Sequence, residues 1–548
     1  MGGDTFTVDW GISEKDFFQS KLTPIEWAEK YRVINGLPYS REGYEWVVDI
    51  HNSNAPIINV QKAAQLGLTE TVINKAFYTI ISEKRSVLYL LPTDGDATDF
   101  SASRFDPALE ESEYLRKAFS DVSNRGLKRA GTASLYVRGS RSKSGLKSVP
   151  VSLLIMDEFD EMDMENVALA RDRLSGQKHK QEIRISTPTI EGYGINRELL
   201  SSKVYEFTIK CIHCNHRQIL SWESSVVKNM EDPSKSYLKC TKCGKKWSEM
   251  DRRYMISKGK WVATDNRLSD SIAYKINQLY SPTVTVVELV KKYKEAIDKN
   301  DEFLLEDFYR SSLGQPYVGE RNRLTLDIVN RCISGYNSYD RFEHPTVIGI
   351  DVGRVKHYTV LSKSEHPSVI AYGKFMTAEH ILELIERYNV SLVVIDSEPV
   401  DENIVSLGKE HNKVWLADFV DNFSVITKWM DDEEVKFVKI NRNIWIERLF
   451  NMVQNKKIQF PYDIDEEFKK HFTKLSKVVR LNKRTGSWRT TWVSSGEDHY
   501  LFSTLYALVA LEQMRNDDVA LENESQIYVS NRILSRNFWR PLTVGEKL

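Results

Sequence analysis

Cysteine is scarce in this chain. Five in 548 residues cannot build a disulfide scaffold. Net charge is nearly absent as well, because 76 Lys and Arg stand against 77 Asp and Glu, leaving −1. No whole-chain field therefore draws the protein to a polyanion, and any nucleic-acid contact must come from local basic patches. No apolar run approaches the roughly 20 residues that cross a bilayer. The opening residues, Met1 to Trp10, lack a basic segment followed by an apolar one, so no secretory signal is expected. Phe6 stands where N-myristoylation wants Ser or Thr. Internal repeats and low-complexity tracts are missing too. What is present is the composition of an ordinary soluble protein, 41% apolar and 28% charged, long enough for two to four cores. An intracellular protein is expected.

The chain alternates apolar strands with helical stretches up to about residue 200, as a βαβ sheet does. Strands are expected at Ile57–Val60, Ser86–Leu91, Ser134–Val137, Val151–Met156 and Gln181–Ser186. These place a first α/β domain at 1–204, including an N-terminal extension. A Cys-rich segment follows at 205–264, then a helical continuation of the first domain at 265–320, whose helical patterning from Val286 to Leu313 ends at Gly314-Gln-Pro316. A polar, turn-rich linker is expected at 321–344, a second α/β domain at 345–515, and a tail at 516–548.

The stretch Asn59-Val-Gln-Lys-Ala-Ala-Gln-Leu-Gly-Leu-Thr-Glu70 reads as a phosphate-binding loop whose lysine has moved. In G-x-x-x-x-G-K-[ST], Gly67 and Thr69 hold the second glycine and the hydroxyl, Leu68 replaces the lysine, and Lys62 stands at the first glycine. A strand before and a helix after let backbone N–H groups cradle phosphate, with Gln65 in the loop. Ser152-Leu-Leu-Ile-Met-Asp157-Glu158 is an apolar strand ending in two acids. Asp157 suits Mg²⁺ held through water, and Glu158 suits a water-orienting base. Glu182-Ile-Arg-Ile-Ser186-Thr187-Pro188 adds a third strand whose end suits a γ-phosphate sensor. Together they predict an ATPase, in which Lys62 carries the charge of the missing lysine. Arg138 and Arg141 are candidate arginine fingers; a solvated basic loop explains them equally well.

Cys211-Ile-His-Cys214 and Cys240-Thr-Lys-Cys243 are two C-x-x-C knuckles whose four thiolates suit a tetrahedral structural Zn²⁺. Four sulfurs fill the shell, so the ion is expected to be structural. Cys332 stands apart.

In the second α/β domain, Val347-Ile-Gly-Ile-Asp351 and Leu392-Val-Val-Ile-Asp396 are strands ending in Asp. Asp498 opens an apolar helix from Leu501 to Leu511. An RNase H-like fold brings such carboxylates together to hold two Mg²⁺ or Mn²⁺ ions for phosphodiester hydrolysis, which makes Asp351, Asp396 and Asp498 the candidate nuclease residues. Glu398, Asp401, Asp421 and Glu497 read as surface acids. Between the second and third acids, a basic hairpin turning at Arg484-Thr-Gly486 offers Lys477, Arg480, Lys483, Arg484 and Arg489 to DNA phosphates, with Trp488 beside them.

A P-loop ATPase with a zinc-ribbon insertion, followed by an RNase H-like nuclease, resembles the large terminase subunit of tailed phages, and more narrowly the lambda-type, gpA-like family. The likeness runs through Gln61 to Glu70, Leu91-Pro-Thr93, Phe100 to Pro107, Asp157-Glu-Phe-Asp160, Ser186-Thr-Pro188, the four cysteines, Leu279-Tyr-Ser-Pro282 and Leu313-Gly-Gln-Pro316. It covers roughly residues 20 to 515. The resemblance implies an ASCE-type, RecA-like ATPase that drives phage double-stranded DNA into a procapsid and cuts concatemers. It further implies a portal, a small terminase subunit, homo-oligomers at the portal, and the host cytoplasm. Docking by residues 520–548 would follow from the same likeness. Two rivals stand beside it. Asp157-Glu-Phe-Asp160 imitates a helicase D-E-x-D box, so a repair or restriction helicase–nuclease fits that motif. Leu68 in the lysine position fits a DNA-binding scaffold with a decayed ATP site.

Overall fold

A computed structural model describes residues 22–120, 122–146, 149–364, 366–420, 426–431, 435–481 and 488–516. The chain divides into two compact units, Met1–Gly319 and Glu320–Leu548.

The first unit is built on parallel strands, buried on both faces because helices cover them. Seven run parallel in the order Lys203–Lys210, Ser271–Ile276, Ile57–Lys62, Gln181–Ser186, Leu153–Asp157, Val87–Leu91 and Ala133–Gly139. Short antiparallel strands, Leu127–Ala130 and Val122–Ser123, extend the last edge. Helix Leu68–Ile81 packs across the sheet and is buried along nearly its whole length. All five expected strands are present. The 205–264 segment is not separate from this sheet: residues 205–210 belong to strand Lys203–Lys210, and Arg217–Ile219 and Lys260–Ala263 pair antiparallel with it. Its pairs Val226–Val227 with Tyr237–Lys239 and Tyr237–Lys239 with Lys246–Trp247 form a small separate sheet. Residues 265–320 are not purely helical. Ser271–Ile276 lies beside the Lys62 strand before helices Val286–Asp298 and Glu302–Asp307 follow. Its sequence, SIAYKI, mixes Ser and Lys with apolar residues and so hides a central strand.

The second unit has a sheet in the order Val369–Phe375, Lys356–Ser362, Thr346–Asp351, Val390–Asp396, Val414–Val420, Lys436–Asn441 and Thr427–Asp431. The first three form an antiparallel meander. The strands from Thr346–Asp351 to Lys436–Asn441 are parallel, the RNase H-like arrangement. A helix over 499–516 lies on the sheet so closely that a Cβ on Gly349 would sit 2.0 Å from the Ser503 carbonyl oxygen, which only glycine permits. Within 321–344, helix Leu326–Asn330 buries Val329, and Cys332 beyond it, in the core of this unit. The two arms of the basic hairpin, Leu475–Leu481 and Trp488–Ser494, pair antiparallel, and the expected turn at Arg484-Thr-Gly486 lies outside the described residues.

Candidate active sites and metal centre

Strand Ile57–Lys62 ends in Lys62, whose ammonium is buried and lies 4.0 Å from a Glu158 carboxylate oxygen. The two residues stand on strands separated by one other, Gln181–Ser186, so they face each other at the C-terminal edge of the parallel sheet. This is where open α/β sheets bind ligands. The loop turns through two left-handed residues, the exposed Gln65 at φ 59° and Gly67 at φ 74°. Gly67 caps helix Leu68–Ile81, and half-buried Thr69 lies in the helix's first turn. Three contacts brace the loop. The Ala63 and Ala64 N–H groups donate to the Ile276 and Ser311 carbonyls at 3.0 and 2.8 Å, and the Gln61 amide donates to the Gly314 carbonyl at 2.8 Å.

Asp157 ends its strand fully buried. One carboxylate oxygen accepts from the Tyr89 hydroxyl at 2.7 Å, while the other is buried with no hydrogen-bond partner among the described residues. Burial, reinforced by the neighbouring Glu158 charge, raises Asp157 to about 6. An orphaned carboxylate oxygen at a phosphate loop fits a cation shell. Glu158 adopts a left-handed backbone, φ 60°, uncommon for a non-glycine residue and frequent at functional sites. Ser186 accepts from the Asp160 N–H at 3.1 Å and donates to the Thr187 carbonyl at 3.0 Å. Asp160 accepts in turn from the Thr189 and Ile195 N–H groups at 2.8 and 2.7 Å. The acid-pair turn and the Ser186-Thr187-Pro188 turn are thus one hydrogen-bonded piece. Of the two candidate fingers, Arg138 donates to the Gly126 and Val137 carbonyls of its own sheet edge, and Arg141 is exposed. Tyr89, in the middle of its strand, carried no sequence signal, whereas Asp160 stood in the Asp157-Glu-Phe-Asp160 motif without its bracing role being legible.

The four knuckle cysteines converge, with all four sulfurs within 4.8 Å of one another. The Cys211–Cys243 and Cys214–Cys240 sulfurs are 3.9 and 3.6 Å apart. Zn–S bonds of about 2.3 Å in a tetrahedron require sulfurs about 3.8 Å apart, so the site fits Zn²⁺. Each knuckle closes the same way: a left-handed residue follows the second cysteine, Asn215 at φ 56° and Gly244 at φ 69°.

In the second unit, Ile350 and Ile395 are register partners, so Asp351 and Asp396 follow side by side at the sheet's C-terminal edge. Burial raises Asp396 to about 7, and the Asp351 charge adds to that shift. Burial also raises Asp351 and Asp498, the latter pushed further by Asp351. The three carboxylates therefore share one electrostatic site, although their oxygens do not all lie within 4.8 Å of one another. Hard oxygen donors of this kind suit Mg²⁺ or Mn²⁺. Two residues absent from the sequence reading complete the site. His499 Nδ1 donates to Asp351 at 2.7 Å. The Tyr506 phenol is held neutral, first by burial and then by the Asp396 and Asp351 charges. His499 directly follows Asp498, so adjacency was the available signal.

Asp401 pairs with the buried Lys356 at 2.8 Å. Glu467, His471 and Glu497 also cluster. There, His471 Nδ1 accepts from the Tyr500 N–H, leaving the neutral ring's proton on Nε2, and Lys374 occupies Glu467 at 2.6 Å. This is an ion-pair network and not a ligand set. Of the hairpin cations, Lys477 pairs with Glu447 at 2.8 Å. Lys483 and Arg484 lie outside the described residues, as do Asp421, the side chains of Arg480, Trp488 and Arg489, and residues 517–548.

Residues 31–261 match the family model for the phage terminase large subunit gpA, ATPase domain, and residues 271–346 that for the terminase large subunit gpA, endonuclease domain. The terminase large subunit of Escherichia phage lambda is 24% identical over 303 residues, 48% of this chain and 47% of that protein. That of Enterobacteria phage P21 is 24% identical over 369 residues, 57% of this chain and 56% of that protein. The chain thus spans about half the length of the curated relatives it matches. The crystal structure of the HK97 bacteriophage large terminase superposes with a TM-score of 0.50 at 9% identity, covering 88% of this chain and 98% of that one, a likeness of fold. With both gpA domains matched in order along one sequence, the chain belongs to the gpA family of phage terminase large subunits.

Proposed function

We propose that this protein is the ATP-driven motor of phage DNA packaging, moving double-stranded DNA into a procapsid and cutting concatemeric DNA. The observation that carries the reading is the pairing of Lys62 with Glu158 across the edge of a parallel sheet, in a chain whose other unit holds a separate carboxylate site.

At the first site the Gln65–Gly67 turn and the start of helix Leu68–Ile81 receive the nucleotide's phosphates, and Lys62 neutralises their charge. Asp157 would hold Mg²⁺, which offsets charge on the β- and γ-phosphates when bound. Glu158 orients the attacking water. Ser186 and Thr187 sense the γ-phosphate, and their hydrogen bonds through Asp160 pass its loss to helix Gly194–Ser201. Arg138 and Arg141 are the candidate fingers.

At the second site Asp351, Asp396 and Asp498 would hold Mg²⁺ or Mn²⁺, which supply an activated water and stabilise the leaving oxygen when bound. His499 orients the Asp351 carboxylate. The hairpin cations Lys477, Arg480, Lys483, Arg484 and Arg489 contact the DNA backbone. Zn²⁺ on Cys211, Cys214, Cys240 and Cys243 is structural. A portal, a procapsid, a small terminase subunit and further copies of this chain are the partners, acting in the host cytoplasm. Among the described residues no helix is long and apolar enough to cross a membrane.

Plasmid cleavage with Mg²⁺ or Mn²⁺ and ATP hydrolysis, assayed in parallel, test the reading. Asp351→Ala should abolish cleavage and spare hydrolysis, and Glu158→Gln the reverse. A wild type that hydrolyses ATP and unwinds a forked duplex without ever cutting DNA would be a helicase instead.

A further inference from the structure

The zinc ribbon has a charge distribution that no structural role for the metal requires. Residues 207–219 and 237–248, the two knuckle arms, hold six Lys or Arg (Lys210, Arg217, Lys239, Lys242, Lys245 and Lys246) with His213 and His216, and no Asp or Glu. The whole chain is balanced, so the bias is local. Four thiolates around Zn²⁺ leave two negative charges. Those two cannot account for six cations, and four remain in excess.

Placement sharpens the point. Lys210, Lys242, Lys245 and Lys246 are exposed and pair with no carboxylate among the described residues. Arg217 is turned inward, donating to the Thr208 hydroxyl at 2.8 Å, and the Lys246 ammonium rests 4.7 Å over the Tyr237 ring. Acids flanking the arms in sequence are engaged: Glu206 with Lys275, Asp232 with Lys235, Glu249 with Arg252, and Asp251 with the Ser248 N–H of its own helix cap. The arms are held rigidly to the ATPase unit. Trp222 packs edge-on against Phe308 and Tyr293, and the Tyr280 hydroxyl accepts from the Leu220 N–H at 2.8 Å. A rigid, acid-free set of exposed ammonium groups is what a regularly spaced polyanion selects.

We propose that the knuckle end of the zinc ribbon is a contact surface for the phosphate backbone of duplex DNA, read without regard to sequence. The proposal rests on the packaging reading, which gives the chain duplex DNA as its substrate. It assigns the ATPase unit a DNA contact of its own, apart from the hairpin of the nuclease unit.

The test is a salt titration of duplex binding by the full chain, with Asp351→Ala present throughout to prevent cutting. Lys210→Gln, Lys242→Gln and Lys245→Gln are combined and compared with the corresponding Lys→Arg triple. Each phosphate contact contributes about 0.9 to the slope of log K against log salt, so the Gln triple should flatten that slope by about 2 to 3. Near 0.1 M salt it should weaken binding roughly tenfold or more, with the Arg triple close to the parent. Zinc content and DNA-independent ATP hydrolysis should not change. An unchanged slope with zinc retained overturns the proposal and leaves the surface to an acidic protein. If the Gln triple sheds its zinc, Lys242→Glu alone reads the same slope and decides the matter. A parent protein that holds no duplex at all removes the packaging reading, and this surface with it; a Gln triple indistinguishable from a binding parent removes only the surface.

Discussion

The two candidate sites are built by different means. In the ATPase unit the reacting groups come from one sheet edge: Lys62, Asp157 and Ser186 each end a parallel strand, and the loops after them are tied by hydrogen bonds to one another and to the Ile276, Ser311 and Gly314 carbonyls. In the nuclease unit two carboxylates end adjacent strands, and the third lies more than a hundred residues further on, where a helix is laid against Gly349. The first site takes its reacting groups from one sheet, with its loop braced by Ser311 and Gly314. The second needs a sheet and a distant helix to dock. The gpA matches follow the same divide. They cover every ATP-site and cysteine residue, and they stop at 346, before Asp351.

The largest expected effect tests how local the ATP site is. Lys62→Ala should lower ATP hydrolysis on the order of a hundredfold or more, as loss of a charge aimed at a transferring phosphoryl group does. Plasmid cleavage without ATP should not change. Adding Leu68→Lys, which restores the usual lysine position, should not rescue hydrolysis. Leu68 is buried in the core at the first turn of its helix, so a lysine there trades packing for a desolvated charge. Recovery to near wild-type rates would show that Lys62 is replaceable and the displaced-lysine account mistaken.

Zinc removal should separate the two units next. Structural zinc sites hold their ion with roughly 10–16 kcal/mol of apparent binding free energy. Cys240→Ser, or prolonged chelation, should therefore release the ribbon to proteolysis between Cys211 and Cys243 and lower the thermal transition of the ATPase unit. The transition of the nuclease unit should stay where it is. A single transition that moves as one would mean that the two units unfold together.

How much was legible follows from the same contrast. Buried parallel strands announce themselves as apolar runs, and the acids that end them fall at predictable places, so Ile57–Lys62, Leu153–Asp157, Gln181–Ser186, Thr346–Asp351 and Val390–Asp396 could be read directly. C-x-x-C spacing is equally direct. Strand Ser271–Ile276 was missed because Ser271 and Lys275 break its apolar pattern, although its neighbours make it a central strand. Helix Leu326–Asn330 was missed because five residues carry no period. Tyr89, Tyr506 and His499 were missed for a different reason. Each acts on a carboxylate brought to it by tertiary packing, and sequence spacing carries no record of that. The fate of Arg138 was hidden likewise: only the fold reveals the carbonyls of its own strand edge as its partners.

His499 offers a smaller and sharper measurement. Outer partners that orient a ligand typically change metal affinity about 10- to 100-fold. His499→Ala should weaken Mn²⁺ binding at the nuclease site by roughly that factor, read by electron paramagnetic resonance without nucleotide. His499→Asn, which keeps a donor of similar reach, should recover part of it. Equal Mn²⁺ affinity in all three proteins would leave His499 a bystander. No comparable loss is expected at the ATP site, where Asp157 is held by Tyr89 on the adjacent strand.

The smallest effect concerns the core beneath the ATP site. Lys75 is buried in helix Leu68–Ile81, and its ammonium donates to the His51 carbonyl at 3.1 Å and to that of Ser53, while the Glu83 charge offsets its burial only in part. Burial lowers it from near 10.5 to about 7. Between those values the unfolded chain holds a proton that the folded chain has released, so stability rises with pH across that window. Below about 7 both states are charged and the full cost of burying the ammonium is present. Lys75→Met keeps the length and removes the charge, although it takes a donor from the His51 carbonyl and leaves that of Ser53 to the Gln181 amide. The wild-type ATPase unit should therefore gain a few degrees of unfolding temperature relative to Lys75→Met between pH 7 and pH 9, while the nuclease unit follows one profile in both proteins. Parallel curves for the ATPase unit would place the Lys75 proton on the folded chain throughout, and the two carbonyls would then be strong enough acceptors to offset its burial.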